Sequence, residues 1–209
     1  QVYPNPNNGL FRLSFESNSN YQYQVTLLDL TGRRVFVQSL ESNTGANQQS
    51  FDLSTLSKES ASVIHCPTSN LKLGSGIANI EALQKNHINV CIGTDGSASN
   101  NKQDVLHDMQ LASLLAKGMT KNPSILDAKT SLDMVTINAA KALGLDDCIG
   151  SIEKGKFADL TVFNMDHLST LPMFDPMSHL VYATTREEVS HVWVNGLLQY
   201  EEGHLTSID

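Results

Sequence analysis

The chain has 209 residues, of which 40% are hydrophobic, and a formal net charge of -8. This size allows a packed core in one domain or two small ones, and the acidic balance excludes non-specific binding to nucleic acid, which needs clustered Lys and Arg. We also expect no membrane partner, because no apolar run approaches the roughly 20 residues that span a bilayer and the opening QVYPNPNNG lacks the pattern of a signal peptide.

The first 60 residues predict a small antiparallel, β-sandwich-like segment. They contain neither His nor Cys, and polar residues alternate with apolar ones as in half-buried strands. The sequence DLTGRR, with Asp29 and Gly32, predicts a tight turn between two of the strands. The predicted strands are LFRLSFE at 10–16, YQVTLLDL at 23–30 and RRVFVQSL at 33–40.

Three stretches of this segment carry a family resemblance. VYPNPNNGLFRLSFE, YQVTLLDLTGRRV and GANQQSFDLSTLSKE resemble the C-terminal sorting domain of proteins exported by the type IX secretion system. The resemblance implies secretion and a non-catalytic, β-rich sorting or surface module fused to a folded carrier. A generic β-hairpin module that only packs is the alternative interpretation.

The rest of the chain has the alternating strand and helix pattern of an α/β unit. The strand SVIHC at 62–66 runs into a turn rich in Pro, Ser, Asn and Gly, and INVCIGTDG at 88–96 is a continuous apolar run, typical of a parallel strand buried on both faces. Helices are predicted at 77–86, at 104–117 and within TSLDMVTINAAKALGL, the last ending at Gly144. Such a pattern is typical of (β/α) barrels and doubly wound sheets.

His65 and Asp95 fall at the carboxyl ends of the two predicted parallel strands. Catalytic groups collect at that edge of (β/α) barrels, and a His and an Asp there suit metal-assisted hydrolysis. A catalytic zinc site usually needs three protein ligands, and the chain contains neither His-x-His nor His-Glu-x-x-His. Asp95 as an ordinary turn residue is therefore the competing interpretation. The chain has three cysteines, an odd and widely spaced set that predicts buried, reduced thiols: Cys66, Cys91 and Cys148.

Several motifs then resemble one family in its own order. SVIHCPTSNLKLGSGIANIEALQKNHINVCIGTDGSASNN, ALGLDDCIGSIEKGKFADLTVFN, DPMSHLVYATT and VSHVWVNG are similar to the C-terminal portion of the amidohydrolase superfamily, and within it to the 5'-methylthioadenosine/S-adenosylhomocysteine deaminases. The resemblance implies a mixed α/β fold in which 61–148 form a partial (β/α) barrel, its last two strands with their helices, and 149–209 form a β-rich tail after the 1–60 segment.

The resemblance also implies roles for single residues. Asp95 corresponds to an aspartate that contacts the metal and shuttles a proton, whereas His65 and Asn70 correspond to residues of the substrate pocket wall. The segment 97–101 corresponds to a loop at the pocket mouth, with helix entry as its alternative. The implied cofactor is a divalent metal, zinc, the implied partner is a purine nucleoside, and the implied location is cytoplasmic.

The same family uses a His-x-His on strand one, histidines on strands five and six, a glutamate and several arginines, none of which has a counterpart here. We therefore expect a C-terminal fragment of a metal-dependent deaminase that binds no metal and is inactive as an isolated chain. The implied protein partner is a complementing chain, which would supply the remaining strands, or a second copy of this chain in a homo-oligomer.

Overall fold

The computed structural model describes residues 2–7, 10–28, 34–52, 62–168 and 170–206. In the amino-terminal part, every strand pair is antiparallel, as predicted. The strands form one sheet in the order β1-β2-β5 and a second sheet of β3 and β4. They are β1 Val2–Asn7, β2 Leu10–Ser17, β3 Tyr21–Leu28, β4 Arg34–Ser42 and β5 Gly45–Asp52.

Side chains link the two amino-terminal sheets at one end. The Phe15 ring on β2 meets the Tyr23 ring on β3 edge-on, with 4.9 Å between the ring centroids. The Ser42 hydroxyl on β4 also donates to Ser17 Oγ on β2 at 3.3 Å. These contacts support the sandwich-like arrangement, which stays a prediction. The predicted turn at Asp29 and Gly32 and the predicted boundary after residue 60 lie outside the described residues.

The middle of the chain contains two parallel strands. β6 (Ser62–His65) pairs with β7 (Asn89–Ile92), so that His65 lies opposite Ile92. Between them are α1 (Pro67–Lys72) and α2 (Ile80–Lys85). The prediction of a turn after β6 is wrong, because Pro67 occupies the first position of α1, where its fixed φ and missing N–H suit a helix start.

Three further helices follow β7: α3 (Val105–Thr120), α4 (Ala128–Val135) and α5 (Ile137–Leu143). The single helix predicted from TSLDMVTINAAKALGL is two helices, broken at Thr136, whose φ and ψ are -122° and -98°. The Thr136 hydroxyl donates to Leu132 O at 2.7 Å, a local bond that competes with the regular helical pattern. The predicted stop at Gly144 is confirmed by its φ of 69°.

The hydrophobic core of this part lies between β7 and its helices. Val90, Cys91 and Ile92 on β7 are all buried, as the continuous apolar run predicted. On the neighbouring strand β6, by contrast, the Ile64 side chain is 51% exposed. The core cluster consists of Ala78, Ile80, Leu83, Ile88, Val90, Ile92, Ala112, Ala116, Leu126 and Met134.

The last part of the chain combines a small sheet with one short α-helix. A four-stranded antiparallel sheet has the order β11-β10-β9-β8. No helix in the described ranges is both long and apolar enough to cross a membrane. The elements are β8 Leu160–Phe163, α6 Pro176–Tyr182, a 3-10 turn at Arg186–Glu188, β9 Val189–Val194, β10 Leu197–Glu201 and β11 His204–Leu205.

Candidate active site

The carboxyl ends of β6 and β7 bring together the two residues that the sequence singled out. His65 is the last residue of β6, and its carbonyl oxygen accepts a hydrogen bond of 3.0 Å from Gly93 N, just beyond β7. Asp95 follows two residues later in the left-handed region, with φ of 61°, which Asp tolerates better than most residues. Both residues therefore lie at the same edge of the parallel pair.

The Asp95 carboxylate is exposed, and both of its oxygens accept hydrogen bonds from the protein. Its Oδ2 accepts a hydrogen bond from the Ser69 hydroxyl at 2.7 Å, and its Oδ1 accepts one from Gly96 N at 2.7 Å. The Ser69 hydroxyl, followed by the Gly96 N–H and the Ser99 hydroxyl, lowers the pKa of Asp95 below its ordinary value. The side chain is therefore ionised at neutral pH, as a metal ligand or a proton acceptor must be.

His65 lies below this edge and is buried, with 2% of its surface exposed. Burial lowers the pKa of His65 to about 4, although the Asp108 carboxylate acts in the opposite direction. In the described part of the chain, its Nδ1 has no hydrogen-bond partner. The imidazole is thus neutral at physiological pH, which is the form that accepts a hydrogen bond or binds a metal.

Asn70, the third candidate, lies in α1. Its backbone N–H donates to Cys66 O at 3.0 Å and its carbonyl accepts from Ser75 N at 2.8 Å, so the backbone is fixed. The side chain is half-buried. This position is compatible with the predicted wall of a substrate pocket, and the roles of Asn70 and His65 there stay predictions.

Two residues that sequence reasoning missed complete the site's polar framework. Asp108 on α3 is fully buried, and its carboxylate accepts from Thr68 N at 3.0 Å and from Asn100 Nδ2 at 2.7 Å. Ser69 holds Asp95, as described above. Asn100 belongs to the predicted mouth loop 97–101, and its hydrogen bond to Asp108 connects this loop to α3.

The described residues do not by themselves fit a catalytic zinc ion. No group of three or more His, Cys, Asp or Glu side chains within the described ranges is arranged to hold a metal, whereas a catalytic zinc usually takes three protein ligands.

The three cysteines are free, as predicted, but only Cys91 is buried. Burial, with the nearby Asp95 and Asp108 charges, raises the pKa of Cys66 to about 11, so this thiol is protonated at neutral pH.

The buried neutral histidine predicts acid sensitivity. The pKa of His65 falls from 6.5 to about 4 on folding, so the unfolded chain binds the extra proton first and stability present above pH 6.5 is lost as the pH falls towards 4. The full difference is worth ~3 kcal/mol. We expect His65→Gln to flatten this loss in urea titrations between pH 4 and 7. His204→Gln, at an exposed site, is the control, and a wild-type slope in His65→Gln would contradict the assignment.

Comparison with known families supports the class of protein that these parts define. The model of the amidohydrolase family matches residues 35–198, and the model of the secretion system C-terminal sorting domain matches residues 1–58. Because the first match covers most of the chain, the chain belongs to the amidohydrolase family. The sorting-domain resemblance of the amino-terminal segment is likewise confirmed. The two matches overlap over residues 35–58, so the domain boundaries at 60 and 148 stay predictions.

Two individual relatives are similar to this chain over most of its length. The chain is 44% identical over 158 residues to a 5-methylthioadenosine/S-adenosylhomocysteine deaminase of Saccharophagus degradans, covering 76% of this chain and 35% of that protein. A deaminase of the same name from Acetivibrio thermocellus is also 44% identical over 158 residues, covering 76% of this chain and 37% of that protein. The chain thus spans little more than a third of the length of the curated relatives it matches.

Solved structures agree with this comparison. An adenosine deaminase from Xanthomonas campestris with bound zinc has a TM-score of 0.69 and 44% identity, covering 71% of this chain and 34% of that one. Atrazine chlorohydrolase from Arthrobacter aurescens in complex with zinc has a TM-score of 0.70 and 28% identity, covering 75% and 35%. The mixed α/β fold is therefore confirmed, and the family contains zinc-binding members.

Proposed function

We propose that the chain supplies the C-terminal part of a hydrolytic deaminase that acts on a purine nucleoside such as methylthioadenosine or S-adenosylhomocysteine. The observation that carries the proposal is the exposed, hydrogen-bonded carboxylate of Asp95 at the carboxyl end of a buried parallel strand. The names and identities of the relatives support the substrate class. In this proposal, 61–148 are the end of a (β/α) barrel, 149–209 are its β-rich tail and 1–60 are a separate segment.

The proposed reaction is hydrolysis of an amidine carbon–nitrogen bond. Water adds to the purine carbon that carries the amino group, the carbon–nitrogen bond breaks, and ammonia leaves. Asp95 accepts a proton from the attacking water and gives it to the leaving amino group, and its lowered pKa keeps the side chain ionised, which is the form that can accept that proton. His65 and Asn70 contribute neutral polar groups to the pocket wall. Zinc, when bound in a complete site, supplies Lewis acidity, and Asp95 is the residue of this chain that we propose contacts it.

The shape of the parallel pair supports an incomplete barrel. Parallel sheets are normally covered on both faces, and two strands cannot close a barrel. Here β6 and β7 form a two-stranded sheet, with Ile64 half-exposed in the middle of β6. We therefore propose that the chain alone turns over no substrate, and that strands from a complementing chain of different sequence complete the site.

A second function is favoured by a different observation, the match of residues 1–58 to a sorting domain. In this alternative, the amino-terminal strands form a secreted, non-catalytic module, and the amidohydrolase part is a folded carrier. The antiparallel pairing of the described strands is compatible with such a module. The two proposals predict different locations, secretion for the module and the cytoplasm for the deaminase.

A graft tests the deaminase proposal directly. Residues 62–206 replace the corresponding C-terminal part of the Saccharophagus degradans relative, and ammonia release from methylthioadenosine and from S-adenosylhomocysteine is measured with zinc. We expect turnover by the graft and none by the 209-residue chain or by the truncated host. A graft that folds and retains zinc but releases no ammonia would refute the deaminase proposal and favour the sorting module.

A further inference from the structure

We infer that Ser69 is a positioning residue that sets the orientation of the Asp95 carboxylate, and that α1 is the rigid element through which it acts. The inference rests on the proposed function only in that Asp95 is taken as the reacting carboxylate. The orientation itself follows from contacts within this chain.

The buried Ser69 side chain donates a hydrogen bond to the Asp95 carboxylate. The side chain is 1% exposed, and its hydroxyl donates to Asp95 Oδ2 at 2.7 Å. The other oxygen, Oδ1, accepts from Gly96 N at 2.7 Å. Each carboxylate oxygen thus accepts a hydrogen bond from the protein, which restricts the rotation of the exposed group.

The neighbouring Ser99 hydroxyl supports Asp95 less strongly than Ser69 does. Ser99 Oγ donates to Gly96 O at 3.2 Å, and its effect on the pKa of Asp95 is smaller than the effects of the Ser69 hydroxyl and the Gly96 N–H. Without Ser69, Asp95 would keep only bonds from its own turn, namely the bond from the Gly96 N–H and the weaker support of the Ser99 hydroxyl. A short-range bond of this kind allows more than one side-chain rotamer on an exposed turn, so the orientation depends on Ser69.

The helix that carries Ser69 is itself anchored on both sides. One turn along α1, Lys72 Nζ donates to Ala98 O at 2.9 Å and to Asn101 Oδ1 at 2.6 Å. Preceding Ser69, the Thr68 N–H donates to the buried Asp108 at 3.0 Å. Because α1 is tied to both the loop after Asp95 and α3, the Ser69 hydroxyl is held at a fixed position relative to that carboxylate.

The first arm of the test uses the 209-residue chain without metal. Three-bond NMR couplings between the Asp95 side-chain carboxyl carbon and its backbone report the χ1 rotamer. We expect a single rotamer in the wild type, averaged couplings in Ser69→Ala, and a single rotamer again in Ser69→Thr. Ser131→Ala, which also removes a buried hydroxyl (1% exposed), is the matched control and leaves the couplings unchanged. Unaveraged couplings in Ser69→Ala would overturn the inference.

The second arm uses the graft described above. Supporting partners of metal-site residues typically change activity by about 10–100-fold, so we expect kcat to fall by that factor in Ser69→Ala, with KM unchanged, and to recover in Ser69→Thr. If the couplings average but the wild-type graft is inactive, the proposed deaminase fails while the positioning role stands. If the graft is active and Ser69→Ala keeps the wild-type kcat, the positioning has no catalytic consequence and the inference fails.

Discussion

Replacing Asp95 by Asn in the active graft is expected to lower kcat by about 10²–10⁴-fold, the range that a positioned acid–base group contributes. The amide has nearly the same shape as the carboxylate, and its oxygen can still accept the Ser69 hydrogen bond. It cannot, however, take a proton from water or carry the negative charge that a metal favours. The loss should therefore appear in kcat while the fold is unchanged, which circular dichroism and thermal melting would verify.

Asp127→Asn is the matched control for this substitution. Asp127 is exposed, begins α4, and accepts a hydrogen bond from Thr130 N at 2.8 Å that lowers its pKa. It thus resembles Asp95 in exposure and in the sign of its pKa shift, but it lies outside the proposed site. Asn is also a good helix cap, so we expect activity within a factor of two of the wild type, on the order of experimental error. Equal activity of both variants would assign Asp95 to the turn alone.

The helices and strands that could be predicted are those in which many apolar residues follow one regular spacing. The run at 88–96 is apolar at successive positions because Val90, Cys91 and Ile92 on β7 are all buried. The helix α3 was predicted because its apolar residues recur at helical spacing, and in the structure Asp104 caps its start. In contrast, the break at Thr136 depends on one hydroxyl that bonds to Leu132 O, which a periodicity cannot reveal.

The helix α1 was missed for a physical reason. It has six residues, and its cap residue Cys66 makes no side-chain capping bond, so the usual local start signal is absent. Its first turn is satisfied instead by Asp108, which accepts from Thr68 N although the two residues are 40 positions apart. A helix stabilised by a distant carboxylate has the local sequence of a turn.

In the candidate site, too, some features could be predicted from the sequence and others could not. The edge location of His65 and Asp95 follows from two parallel strands and could be predicted. The contact that orients the Asp95 carboxylate could not be predicted, because Ser69 and Asp95 are 26 positions apart in the sequence. They come into contact only when β6 and β7 are paired. Asp108 offered a weak signal, since a charged residue among the apolar positions of α3 requires a buried partner.

The largest loss of stability is expected when this buried carboxylate is removed. Asp108 is 0% exposed and accepts hydrogen bonds from Thr68 N and Asn100 Nδ2. Asp108→Ala leaves both donors unpaired in the interior. An unpaired buried donor costs about 1–3 kcal/mol, so the free energy of unfolding should fall by about 2–6 kcal/mol in urea titrations at pH 7.

Two controls separate the hydrogen bonds from the charge. Asp108→Asn keeps one oxygen, which can accept from Thr68 N, but it turns an amide towards the amide of Asn100, so we expect about half the loss. Asn100→Ala removes the second donor and should make Asp108→Asn less harmful than it is in the wild type, because the two side chains interact directly. Additive losses in this double-mutant cycle would show that the bond between residues 100 and 108 contributes nothing to the stability of the site.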